Sequence, residues 1–114
     1  NHVLFGNDGE PLWSVPYDLD LAGLVNAPHA RPNPRFNLRN VKQRLYRGRC
    51  IHNDLLAGSI AQYNDKREEI LAVVHEVDDA TGTSERMMAK YVDKFYDTIN
   101  SDRRVKSAFV KKCI

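Results

Sequence analysis

Two aspartates, Asp18 and Asp20, stand one residue apart in the stretch SVPYDLDLAGL, with apolar residues on either side. In extended backbone alternate side chains share a face, so both carboxylates would point the same way. Two carboxylates that close resist joint ionisation unless a cation or strong donors sit between them. Magnesium fits such a pair, because it takes one or two carboxylates and completes its shell with water and phosphate oxygens. A structural role also fits: Asp20 would cap a helix starting at Leu21, and Asp18 would pair with a nearby arginine. Spacing alone leans to the structural role and leaves the metal open.

A second group is cationic. From Arg31 to Arg49 the chain carries seven basic residues (Arg31, Arg35, Arg39, Lys42, Arg44, Arg47 and Arg49) and no acidic one, whereas elsewhere ten basic residues face fifteen acidic ones. Guanidinium forks match phosphate oxygens. Arg39, Lys42, Arg44 and Arg47 are therefore the candidates for holding a phosphate, another anionic ligand or an acidic partner. Nucleic acid is disfavoured, because the net charge is only +2 and the run contains just two aromatics, Phe36 and Tyr46. A solvated cationic face balancing the acidic helices is the reading without a ligand.

Little else in the sequence carries chemistry. His2, His29, His52 and His75 show no ligand spacing, and no nucleophile elbow, GxGxxG or Walker-type loop is present. Cys50 and Cys113 form no CxxC pair and read as buried or incidental thiols rather than a disulfide scaffold. Trp13 reads as core. No apolar run approaches the ~20 residues of a membrane span, and no feature names a compartment.

The elements that must position these residues follow from periodicity. Residues 1–20 read as a hairpin: His2-Val3-Leu4-Phe5, a turn at Asp8-Gly9 that demands positive φ, then Leu12 to Tyr17, with Pro16 near an edge. Residues 21–39 read as irregular, broken by Pro28, Pro32, Pro34 and several asparagines, with room for a short helix after Asp20. Residues 40–114 read as helical. Val41 and Leu45 form a short amphipathic turn or two that Gly48 stops. Leu56, Ile60, Tyr63, Ile70, Leu71 and Val74 outline one helix from about Asn53 to Glu76, capped by Asn53 or Asp54. Thr81-Gly82-Thr83 breaks the chain. Met87, Met88, Tyr91, Val92, Phe95 and Ile99 mark the next helix from Ser84, and Ser101-Asp102 restarts a last one with Val105, Ala108, Phe109 and Val110 inward. The expected fold is α+β, mainly α: an N-terminal β-hairpin, a loop-rich basic segment, then a bundle of three to four helices. The chain forms a single domain or the C-terminal subdomain of a larger protein.

The order of the first twenty residues resembles protein-kinase-like folds, in which an Asn, a short apolar strand, a turn and a second strand lead to a metal-binding Asp. Asn1, Val3-Leu4-Phe5, Asp8-Gly9, Leu12 to Tyr17 and Asp18-Leu19 fall in that order. The stretches PYDLDLAGLVNAPHA and VKQRLYRGRC are also similar to a family of uncharacterised bacterial proteins, itself distantly similar to atypical kinases of the CotH and HipA types. The resemblance implies that Asn1 and Asp18, with Asp20 in place of the usual glycine, hold the Mg²⁺ that bridges ATP phosphates. A glycine-rich loop, a strand lysine and a catalytic Asp are missing from these 114 residues. The resemblance therefore implies the C-terminal part of a kinase-like parent, not competent alone and partnered by the missing N-terminal region. The other class is a non-enzymatic helical interaction module whose basic segment docks an acidic partner.

Overall fold

The computed structural model describes residues 2–9, 13–16, 22–79 and 81–114. The chain divides into two compact units, Asn1–Arg44 and Leu45–Ile114. Each is described by itself.

In the first unit, β1 (His2–Phe5) runs antiparallel to β2 (Trp13–Pro16), with His2 opposite Pro16 and Phe5 opposite Trp13. Gly9 lies in the turn with φ 86°, the left-handed conformation its missing Cβ permits. The remainder of this unit is turns and loops. One turn closes where Asn26 donates its N–H to the Ala22 carbonyl (2.9 Å), and a single 3-10 turn spans Pro34–Phe36. Asparagines organise this stretch. Asn33 accepts from the Arg35 N–H (3.0 Å), Asn40 accepts from the Lys42 N–H (3.0 Å), and Asn26 and Asn37 take positive φ. A short amide side chain offers the backbone an alternative partner and tolerates the left-handed region, so the segment needs no ladder or helix.

The second unit is helical. A 3-10 helix, Cys50–Leu55, leads into α1 (Leu56–Asp65), followed by α2 (Arg67–His75), α3 (Thr83–Ile99) and α4 (Asp102–Val105), which continues as a π-helical turn over Lys106–Val110. Val74 of α2 (5% exposed) and Tyr96 and Ile99 of α3 (3% and 5%) are its buried apolar centre among the described residues. Three edge-to-face aromatic contacts extend it: Tyr63 with Phe95 at 5.1 Å, Phe95 with Tyr96 at 5.4 Å, and Tyr46 with Phe109 at 5.0 Å. The last turn of α1 leaves carbonyls without helical partners. The Tyr96 hydroxyl donates to one of them, Tyr63 O, at 2.8 Å, and Asn64 and Asn100 exchange two amide hydrogen bonds of 2.9 Å beside it.

Five expectations are corrected. The class is helical rather than α+β. Strand pairing is confined to four residues a side, a ribbon too short to act as a sheet layer, and the folded body is built from helices. The single helix expected over 53–76 is two, interrupted at Lys66 (φ −94°, ψ 4°), and Leu55 takes the cap position in place of Asn53 or Asp54. The helical turns expected at Val41–Gly48 are absent. A turn ends near Gln43, and Arg49 is extended (φ −76°, ψ 139°) because this segment pairs with the C-terminus: Ile114 donates to Gly48 O at 3.0 Å and accepts from Cys50 N–H at 3.1 Å. Finally, Cys50 and Cys113 are not thiols but a disulfide, with Cα atoms 5.0 Å apart across 63 positions of sequence. α3 begins and ends within a residue of the expected helix, and Val110, expected inward, is 40% exposed.

Candidate functional site

The three metal candidates, Asn1, Asp18 and Asp20, lie outside the described residues. Their donor set, one amide and two carboxylates, is made of the hard oxygens that magnesium prefers. Among the described residues no group of three or more His, Cys, Asp or Glu side chains is placed to hold a metal.

The cationic segment is described. Arg39, Lys42 and Arg44 belong to the first unit and Arg47 to the second, and all four side chains are exposed. Backbone contacts hold the loop that presents the first two: Gln43 accepts from the Arg39 N–H through its side-chain oxygen, and Gln43 N–H reaches the Asn40 carbonyl at 3.2 Å. Among the described residues no carboxylate pairs with Arg35, Arg39 or Lys42. Among the described residues no ion pair neutralises their charge, and an anion approaching the loop meets cations on a backbone fixed by hydrogen bonds. Arg31 does something different. Its guanidinium donates to the carbonyls of Pro28 (3.2 Å) and Ala30 (3.0 Å), tying the turn that buries Ala30. Beside it an open groove of about 610 Å³ runs along Pro32, Pro34, Phe36, Leu38 and Val41.

The RLYRGRC stretch turns out to be an anchor. Tyr46 packs its ring edge on Phe109, and a Cβ on Gly48 would lie 2.0 Å from the Tyr46 hydroxyl oxygen. Any side chain at position 48 would force the Tyr46 ring to shift off this position. Two residues later Cys50 is bonded to Cys113. Arg47 thus sits inside a structural clasp, on a chain held by a ring, a backbone pair and a covalent bond.

Two further residues matter that periodicity did not single out. Tyr96 is buried, its phenol pushed up by burial and partly held back by the Arg67 cation, whose guanidinium lies 5.1 Å above the ring and 3.4 Å from Asp93. Asp79 starts α3. Its carboxylate accepts from the N–H groups of Thr81 (2.9 Å), Thr83 (3.1 Å) and Ser84 (2.6 Å), and the Ser84 side chain first, then the Ser84 N–H and the hydroxyl and N–H of Thr81, hold it far below the usual carboxylate range. The signal for Asp79 was in the sequence: an acid four residues before the first helical turn, in a run of threonine, glycine and serine. No helix among the described residues is long and apolar enough to cross a membrane. Comparison with protein-family models, with curated proteins and with solved structures found no match.

Proposed function

We propose that the chain is the C-terminal portion of a kinase-like phosphotransferase, in which Asp18 binds Mg²⁺ with Asn1 and Asp20 as further oxygen donors. The observation that carries this reading is the order of residue types from Asn1 through the Asp8-Gly9 turn to Asp18-Leu19, the order in which kinase-like proteins place their two metal ligands. Magnesium held there would bridge and neutralise nucleotide phosphates. The chain's own share of the work is to supply hard oxygens for the ion and cations for phosphate charge. Arg39 and Lys42, exposed on a hydrogen-bonded loop, support the second role. In this reading the general base and the nucleotide-binding lysine come from sequence preceding Asn1, and the 114 residues alone turn over no substrate. The test is calorimetric titration of Mg²⁺, with ADP present, into the intact parent and its Asp18→Asn variant. Loss of nucleotide-dependent binding with an unmoved melting temperature supports the reading; unchanged binding removes it.

The exposure of the cationic loop favours one other reading, a non-enzymatic module that docks an acidic partner. Its binding would weaken with salt and with Arg39→Glu or Lys42→Glu. Salt-insensitive binding that survives both changes would eliminate it.

A further inference from the structure

Charge is segregated along the second unit. Between Asp54 and Asp102, eleven carboxylates face five cations, whereas Leu45–Asn53 and Arg103–Ile114 together hold seven cations and no side-chain carboxylate. Forty-nine residues separate these two cationic stretches in sequence, yet the fold joins them through the Cys50–Cys113 bond and the backbone pairing of Ile114 with Gly48 and Cys50. Arg49, Lys111 and Lys112 are all exposed there. Bare aliphatic side chains accompany them: Ile51 is 74% exposed, Ile114 64% and Leu55 59%.

We propose that this disulfide-tied end of the helical unit docks on an anionic lipid surface, with Arg49, Lys111 and Lys112 meeting the headgroups and Ile51, Leu55 and Ile114 entering the interface. Cations and aliphatics together are what such a surface recognises. The negative leaflet attracts the basic side chains, and the acyl boundary accepts aliphatic groups without a matching pocket. Nucleic acid would use the cations but not the aliphatics, since single strands are held by aromatic stacking. The acidic helices α1 to α3 make the remainder of the unit repel the same surface, which orients it with the disulfide end down.

The experiment is co-sedimentation of the 114-residue chain with vesicles of phosphatidylcholine alone and of equal parts phosphatidylcholine and phosphatidylglycerol. Binding only to the anionic vesicles is expected. Arg49→Gln, Lys111→Gln and Lys112→Gln together should weaken it about 100-fold, with helicity unchanged by circular dichroism. Ile51→Ser with Ile114→Ser should also weaken it, and so should reduction, which unties the two stretches. Changing Lys90 and Lys94 on α3 and Lys66 between α1 and α2 to Gln should leave it intact. Equal binding to neutral vesicles, equal loss in that control triple, or wild-type binding by the Arg49/Lys111/Lys112 variant each overturns the proposal. So does self-association that Ile51→Ser and Ile114→Ser abolish without any vesicle binding, which would make a second copy the occupant.

Discussion

Removing the Cys50–Cys113 bond isolates what holds the C-terminus to the start of the helical unit. The bond spans 63 positions, and closing a loop of that length in the unfolded chain removes conformational freedom worth about 4 kcal/mol. A domain of this size is stable by roughly 5–15 kcal/mol in total, so the bond is a large fraction of the whole. Once it is gone, the Tyr46–Phe109 edge contact and two backbone hydrogen bonds of Ile114 remain at that junction. Each such hydrogen bond contributes only about 1 kcal/mol net. The Cys50→Ser/Cys113→Ser double variant should therefore unfold at a much lower urea concentration, with a steeper denaturant dependence, because its unfolded ensemble is more expanded. Amide exchange should accelerate first at Cys50 and residues 106–114, before α2 and α3. Equilibrium urea unfolding followed by far-UV circular dichroism reads the first quantity, and exchange followed by NMR reads the second. A loss below about 1 kcal/mol, or exchange that stays slow at residues 106–114, would refute the reasoning.

Other outcomes follow from the same geometry. Tyr96→Phe should cost about 1–3 kcal/mol in urea unfolding, since it leaves the Tyr63 carbonyl at the end of α1 without its donor. Gly48→Ala should cost about 1–3 kcal/mol through the clash with Tyr46, and the loss should shrink in a Tyr46→Ala background but not in Tyr46→Phe, whose ring still fills the space. Asp79 gives a pH signature. Its folded-state carboxyl titrates below its unfolded value, so its stabilisation is complete above about pH 4 and is lost as pH falls further. Asp79→Ala should flatten the acid side of a plot of urea midpoint against pH; an unchanged slope would show that the cap bonds do not hold the carboxylate ionised.

The helical half was largely legible because its signal is periodic. Met88, Tyr91, Val92, Phe95 and Ile99 repeat at three and four residues, and α3 covers them. What escaped had no local signature. The break at Lys66 falls in the polar run 64–69 between Tyr63 and Ile70, which reads as the solvent side of one helix, and it is secured by distant partners at the end of α3, Tyr96 and Asn100. Val41 and Leu45 stand four apart and read as helical, but the chain makes only a turn ending at Gln43 and is extended at Arg49, where Gly48 and Cys50 pair with Ile114. Cys50 and Cys113 carry no spacing rule across 63 positions, so only the fold brings them together. Asparagines marked the irregular segment as loop, and their side chains do cap its turns. Of the candidate site, exposure of Arg39, Lys42, Arg44 and Arg47 is described. Asn1, Asp18 and Asp20 rest on sequence order.

The proposed function turns on whether a divalent ion sits at Asp18. Manganese added with ADP to the isotopically labelled intact parent would broaden the NMR signals of residues near the bound ion. The account predicts broadening centred on Asp18, reaching Asn1 and Asp20, and abolished by Asp18→Asn. Broadening centred instead on the acidic residues of α2 and α3, or insensitive to that substitution, would contradict it.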